Sequence, residues 1–104
     1  MLRDRESVEP LIQCLKDEDL EVREAAASTL GWIGDSRAVQ PLLEMLENPV
    51  WRLRQSAAYA LGAIGDERAL DAVRRHLDDP KKRVRQAVKS ALANFHFQKH
   101  NTAG

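Results

Sequence analysis

Apolar residues fall along this chain at three- and four-residue intervals, and the same pattern returns 31 residues later. Val8, Leu11, Ile12 and Leu15 form one such stripe, and Val39, Leu42, Leu43 and Leu46 repeat it. A second stripe, Val22, Ala26, Leu30 and Ile33, returns as Leu53, Ala57, Leu61 and Ile64. This spacing places each set on one face of a helix. Two stripes per period predict a helical hairpin, and the period predicts that hairpins stack. A third, degraded copy runs through Leu70, Val73, Leu77, Val84, Arg85 and Leu92.

The punctuation between stripes repeats too. Asp17, Asn48 and Asp79 share one position before the second helix of each unit, where a side-chain oxygen would cap free backbone N–H groups. Pro49 and Pro80 follow directly and are expected at the first helical position, where a missing N–H costs nothing. Gly34 and Gly65 stand where a left-handed residue would end the second helix. Small residues at 25–27 and 56–58 would let neighbouring helices approach closely.

With VEPLIQ, then EVR, a small-residue pair and LGxIGD in place, the chain resembles the HEAT-like repeats of the phycobilin-lyase type, from about Leu2 to about Phe95. The resemblance implies an all-α, right-handed α-solenoid whose first helices form a convex face and whose second helices line a concave one. It also implies that Arg23, Arg54 and Arg85 form a structural ladder with the loop aspartates Asp35 and Asp66. The expected organisation is one domain over 1–104: a tail of a preceding repeat at 1–4, repeats at 5–35, 36–66 and 67–97, and a C-terminal tail at 98–104.

The two ends differ. In the third copy Ile12 and Leu43 give way to Arg74, Cys14 and Met45 to His76, and Ala27 and Ala58 to Lys89. A terminal repeat needs such polar residues on its outer face. Gly62 and Gly65 become Ala93 and His96, so the last helix is expected to run on toward His100, with Asn101–Gly104 fraying. Leu2 and Asp4, in contrast, are in register with Ile33 and Asp35, and nothing in the first repeat turns polar. An apolar N-terminal face is expected, covered by further repeats of a longer array or by a second copy as a homodimer.

Charge refines this picture. The chain is neutral overall, yet residues 5–35 carry three basic and eight acidic side chains, and residues 67–104 carry nine and four. Lys81, Lys82, Arg83, Arg85 and Lys89 could contact phosphates. Overall neutrality and the acidic first repeat argue against nucleic acid. No apolar run approaches membrane-spanning length and no secretory pattern opens the chain, so a cytoplasmic location without membrane contact is expected.

Candidate chemistry is sparse. His96 and His100 lie four apart, but two ligands without a third make a weak metal site. There is no HExxH and no His-Glu dipeptide, the pair that binds iron in hydroxylases built from related repeats. Cys14 sits among apolar positions, and the glycines are used by the repeat geometry. No catalytic, metal or cofactor residues are assigned, and the chain is not expected to be an enzyme.

Binding is expected instead on the outward stripe of the second helices. It comprises Glu21, Glu24, Ser28 and Trp32, then Trp51, Arg52, Gln55 and Tyr59, then Arg83 and Gln86. These positions vary between repeats while core positions hold, as in scaffolds whose surface carries specificity. Trp32, Tyr59 and Trp51 are the candidate apolar anchors for a protein segment. The resemblance allows another role: a lyase-like or enzyme-accessory subunit acting with a partner chain or a bilin.

Overall fold

In the computed structural model residues 5–103 are described, with side chains through Phe95. Three helical hairpins stack as the sequence pattern requires: α1 (Val8–Cys14) with α2 (Leu20–Ile33), α3 (Val39–Leu46) with α4 (Trp51–Ile64), and α5 (Leu70–Arg75) with α6 (Lys82–Ala103). The architecture is an all-α, right-handed α-solenoid, with no strand among the described residues. Residues 1–4, read from the sequence as the tail of a preceding repeat, lie outside the described residues. No described helix is long and apolar enough to cross a membrane.

Each first helix is entered through a 3-10 turn, at Arg5–Ser7, Ser36–Ala38 and Glu67–Ala69. The latter two are opened by Asp35 and Asp66, whose side chains accept from the backbone N–H of Arg37 and Arg68. Helices α2 and α4 end at Gly34 (φ 78°) and Gly65 (φ 72°), which donate N–H to the Leu30 and Leu61 carbonyls. An L-residue in that conformation costs roughly 1–2 kcal/mol. Where the third copy has His96 there is no such turn, and α6 continues to Ala103. Residues 98–103, expected as a tail, are therefore the end of a helix.

The second helices form the tight row of the stack. A Cβ on Gly31 would lie 2.9 Å from Ala60 Cα, and one on Gly62 2.6 Å from Ala91 Cα. Such contact brings α2, α4 and α6 backbone to backbone, while α1, α3 and α5 rest chiefly on the second helix of their own repeat.

Leu30, Leu42, Leu46, Leu53, Leu61, Val73, Val84 and Val88 are fully buried between the layers. Register decides burial as much as residue type does. Leu53 is fully buried and shares the wall of one cleft with Ile12 and Leu15 of the preceding repeat, whereas Val22, at the same register in the first repeat, is 37% exposed. Leu77 is 37% exposed as well. In the last repeat Arg74 and Lys89 are exposed.

Two sequence expectations are corrected here. Asp17, Asn48 and Asp79 do not cap the second helices; each accepts from the N–H two residues on, of Asp19, Val50 and Lys81, at 2.8 to 2.9 Å. That Asx turn delays the helix start to Leu20, Trp51 and Lys82, so Pro49 and Pro80 lie in the turn, before the first helical residue. The cap in the first repeat is Asp19, which accepts from Glu21 and Val22.

The arginine ladder also runs elsewhere. Arg54 pairs with Asp79 of the next repeat, Nε to Oδ2 at 2.9 Å and Nη2 to Oδ1 at 3.0 Å. Asp35 instead holds Arg37 and Arg5, and Asp66 holds Arg68. Distance is the reason. Arg23 opens α2 and Asp35 follows its far end, which at 1.5 Å per residue separates them by about 18 Å.

Candidate functional site

The outward stripe of α2, α4 and α6 carries the residues assigned to binding, and the structure treats them unequally. Tyr59 is 48% exposed and Trp32 46%. In repeat register Tyr59 is level with Ser28, one turn from Trp32 on the neighbouring helix. Tyr59 stands between two grooves. One, of about 360 Å³, runs between α2 and α4 past Ser28, Gly31, Gln55 and Ala63. The other, of about 230 Å³, runs between α4 and α6 past Gly62, Ser90 and Asn94. Both floors are formed where glycine meets alanine across two helices, so the close approach of the backbones shapes the grooves beside the tyrosine.

Trp51 is placed differently. It is half-buried, packs against the core at the start of α4, and the Lys81 ammonium lies 4.5 Å from its ring centroid. That cation–π contact ties the second and third repeats together. The charges beside the grooves are partly engaged as well. Arg52 makes a bidentate pair with Glu24 across the first two repeats, Nε to Oε2 at 3.0 Å and Nη2 to Oε1 at 2.7 Å. Glu21, Arg83 and Gln86 are exposed, and Gln55 is half-buried.

The basic stretch of the third repeat is divided by the same contacts. Lys81 covers Trp51, and Arg85 Nη1 donates to the Asp79 carbonyl at 2.8 Å. The side chains of His96 and His100 lie outside those described.

Sequence reasoning missed the polar cluster around Asp79. Asp79 is buried and its carboxylate also meets His76 Nδ1 at 3.1 Å, while His76 Nε2 reaches Glu47 at 2.8 Å. Burial opposes ionisation there, but hydrogen bonds from Arg54, the Lys81 N–H and His76 outweigh it and hold the pKa at about 2. Asp35 is held well below the usual carboxylate range by the Arg37 side chain and N–H, and Asp66 is lowered by Arg68. The signal available in the sequence was the aspartate at the register of Asn48, read there as a cap.

The sequence pattern of HEAT repeats matches residues 9–93. The chain superposes on human deoxyhypusine hydroxylase in complex with glycerol with a TM-score of 0.85 at 28% identity, covering 90% of this chain and 33% of that one. It superposes on the complex of CpcE and CpcF of phycocyanin lyase from Nostoc with a TM-score of 0.79 at 32% identity, covering 85% of this chain and 36% of that one. It thus spans about a third of each of these relatives. No curated protein matches it.

Proposed function

Because the chain belongs to the HEAT-repeat family, we propose that it is a non-catalytic interaction module that docks a protein segment along α2, α4 and α6. The observation that supports this reading is Tyr59, half exposed between two inter-helix grooves, with Trp32 exposed one turn away in register. Large, stiff aromatics beside concave surface are the usual anchors of protein recognition. In this reading Tyr59 and Trp32 supply most of the contact. Glu21 and Arg83 orient the segment, since Glu24 and Arg52 are engaged with each other.

The test is a peptide-library selection on the intact chain, followed by affinity measurements on Tyr59→Ala and Trp32→Ala. Selected peptides should lose about tenfold or more in affinity, roughly 1.4 kcal/mol. Gln40→Ala, an exposed change on α3, should leave affinity unchanged. Peptides that bind all variants equally would remove the second-helix face from consideration.

Similarity to the CpcE and CpcF complex supports a second reading, an accessory subunit of a lyase-like enzyme acting with a partner chain or a bilin. A change in visible absorption on adding a bilin to the protein separates it from the first. A third reading, self-association through the first repeat, rests on the exposure of Val22 where Leu53 and Val84 are buried. Light scattering over a concentration series, at low and high salt, decides it.

A further inference from the structure

The two junctions between repeats are built on one plan, and one of them lacks its acceptor. At the second junction the Arg54 guanidinium is satisfied by both Asp79 oxygens and by the Asn48 and Pro49 carbonyls, all at 2.9 to 3.0 Å. At the first junction Arg23 stands at the register of Arg54, and its buried Nε has no hydrogen-bond partner among the described residues. Its one described bond is from Nη2 to the Glu18 carbonyl at 3.5 Å, the outer limit of such a contact.

The cause is one substitution in register, because Asn48 stands where the next repeat has Asp79. In Asp79 the oxygen Oδ1 accepts from both the turn N–H of Lys81 and Arg54 Nη2, and Oδ2 is the acceptor that meets Arg54 Nε. Asn48 keeps the turn acceptor, Oδ1, which takes the Val50 N–H at 2.8 Å, but has an amide donor in place of the second oxygen that would meet Nε. A buried donor without an acceptor is destabilising, the more so when it is charged. Beside Arg23 and Asn48 opens a cleft of about 240 Å³ with Lys16 at its rim and Leu15, Met45 and Leu53 in its wall.

We infer that this cleft is a carboxylate-binding site, and that its occupant is a glutamate side chain presented by a partner protein. The Asp79 carboxylate on Arg54 shows the group that an arginine at this register takes: a planar, two-oxygen acceptor met by Nε and Nη2. Lys16 adds a second positive charge, and the apolar wall suits the two methylenes of a glutamate. The site lies among α1, α2, α3 and α4 and is separate from the grooves beside Tyr59. Glu44, exposed at the same cleft, is the chain's own competitor for it.

The test follows the Arg23 and Arg54 Nε–Hε signals by NMR in the full chain at constant ionic strength. Titrants are propionate, glutamate blocked at both backbone ends, and inorganic phosphate. Propionate should shift the Arg23 signal saturably in the millimolar range while Arg54 stays still. Blocked glutamate should bind at least as well. Asn48→Asp, which tethers a carboxylate in the seat, should weaken the response about fivefold or more, a loss of roughly 1 kcal/mol. Glu44→Gln should retain or strengthen it. A linear, unsaturable shift, or an equal response in Asn48→Asp, would overturn the site. Phosphate binding as tightly as propionate would reduce it to a general anion cleft, and exclusion of blocked glutamate would overturn the protein-borne occupant.

Discussion

Arg54 and Asp79 form a bidentate pair across the second repeat junction, with side chains only 13% and 2% exposed. Burial removes water as an alternative partner, so each group depends on the other. Converting Asp79→Asn replaces the acceptor of Arg54 Nε with an amide donor and leaves that buried N–H without a partner. The expected loss is about 3 kcal/mol, the low end for breaking a buried pair. Asp66→Asn is the control: its partner Arg68 is 67% exposed, and the loss should stay below about 1 kcal/mol. Urea denaturation of both variants against the parent chain measures the difference.

Asn48→Asp should act in the opposite direction. It supplies Arg23 with the acceptor that Arg54 already has, and a gain of about 1–3 kcal/mol is expected from removing an unsatisfied buried donor. In a domain of this size each kcal/mol moves Tm by about 4–8 °C. A melting temperature equal to or below that of the parent chain would show that Arg23 is satisfied by other means.

Acid should unfold the protein in a defined window. Asp79 titrates at about 2 in the fold, and Asp35 and Asp66 are also lowered, against about 3.9 in an unfolded chain. A folded-state pKa below the unfolded one stabilises at higher pH, so this contribution is complete above about pH 4 to 5 and is lost as pH falls toward 2. Melting curves between pH 7 and 2 should show the decline, and Asp79→Asn should flatten part of it. A Tm independent of pH below 4 would contradict these assignments.

Gly62→Ala should destabilise despite the better helix propensity of alanine. The added Cβ would lie 2.6 Å from Ala91 Cα, a backbone atom that cannot rotate away. Overpacking costs about 1–3 kcal/mol, and the propensity gain in a helix is about 1 kcal/mol. A lower Tm is expected, with the α4–α6 groove beside Tyr59 widened. An unchanged or raised Tm would mean that the two helices separate without cost.

The sequence by itself determined the repeat and its two-helix content, because one apolar face per helix leaves the 3.6-residue period written in the chain. It also determined the helix stops, since only glycine takes the positive φ found at Gly34 and Gly65 at low cost. It offered Trp32, Tyr59 and Trp51 as equivalent aromatics. Only the tertiary structure separated them, leaving two exposed and setting Trp51 under Lys81. The arginine ladder needed the structure for the same reason: a periodic sequence gives register within a repeat but not which end of a helix meets which turn of the next. The ladder was thus expected on Asp35 and Asp66, while Arg54 meets Asp79 across the junction. That pairing depends on how repeats stack, a long-range geometry that no local spacing encodes.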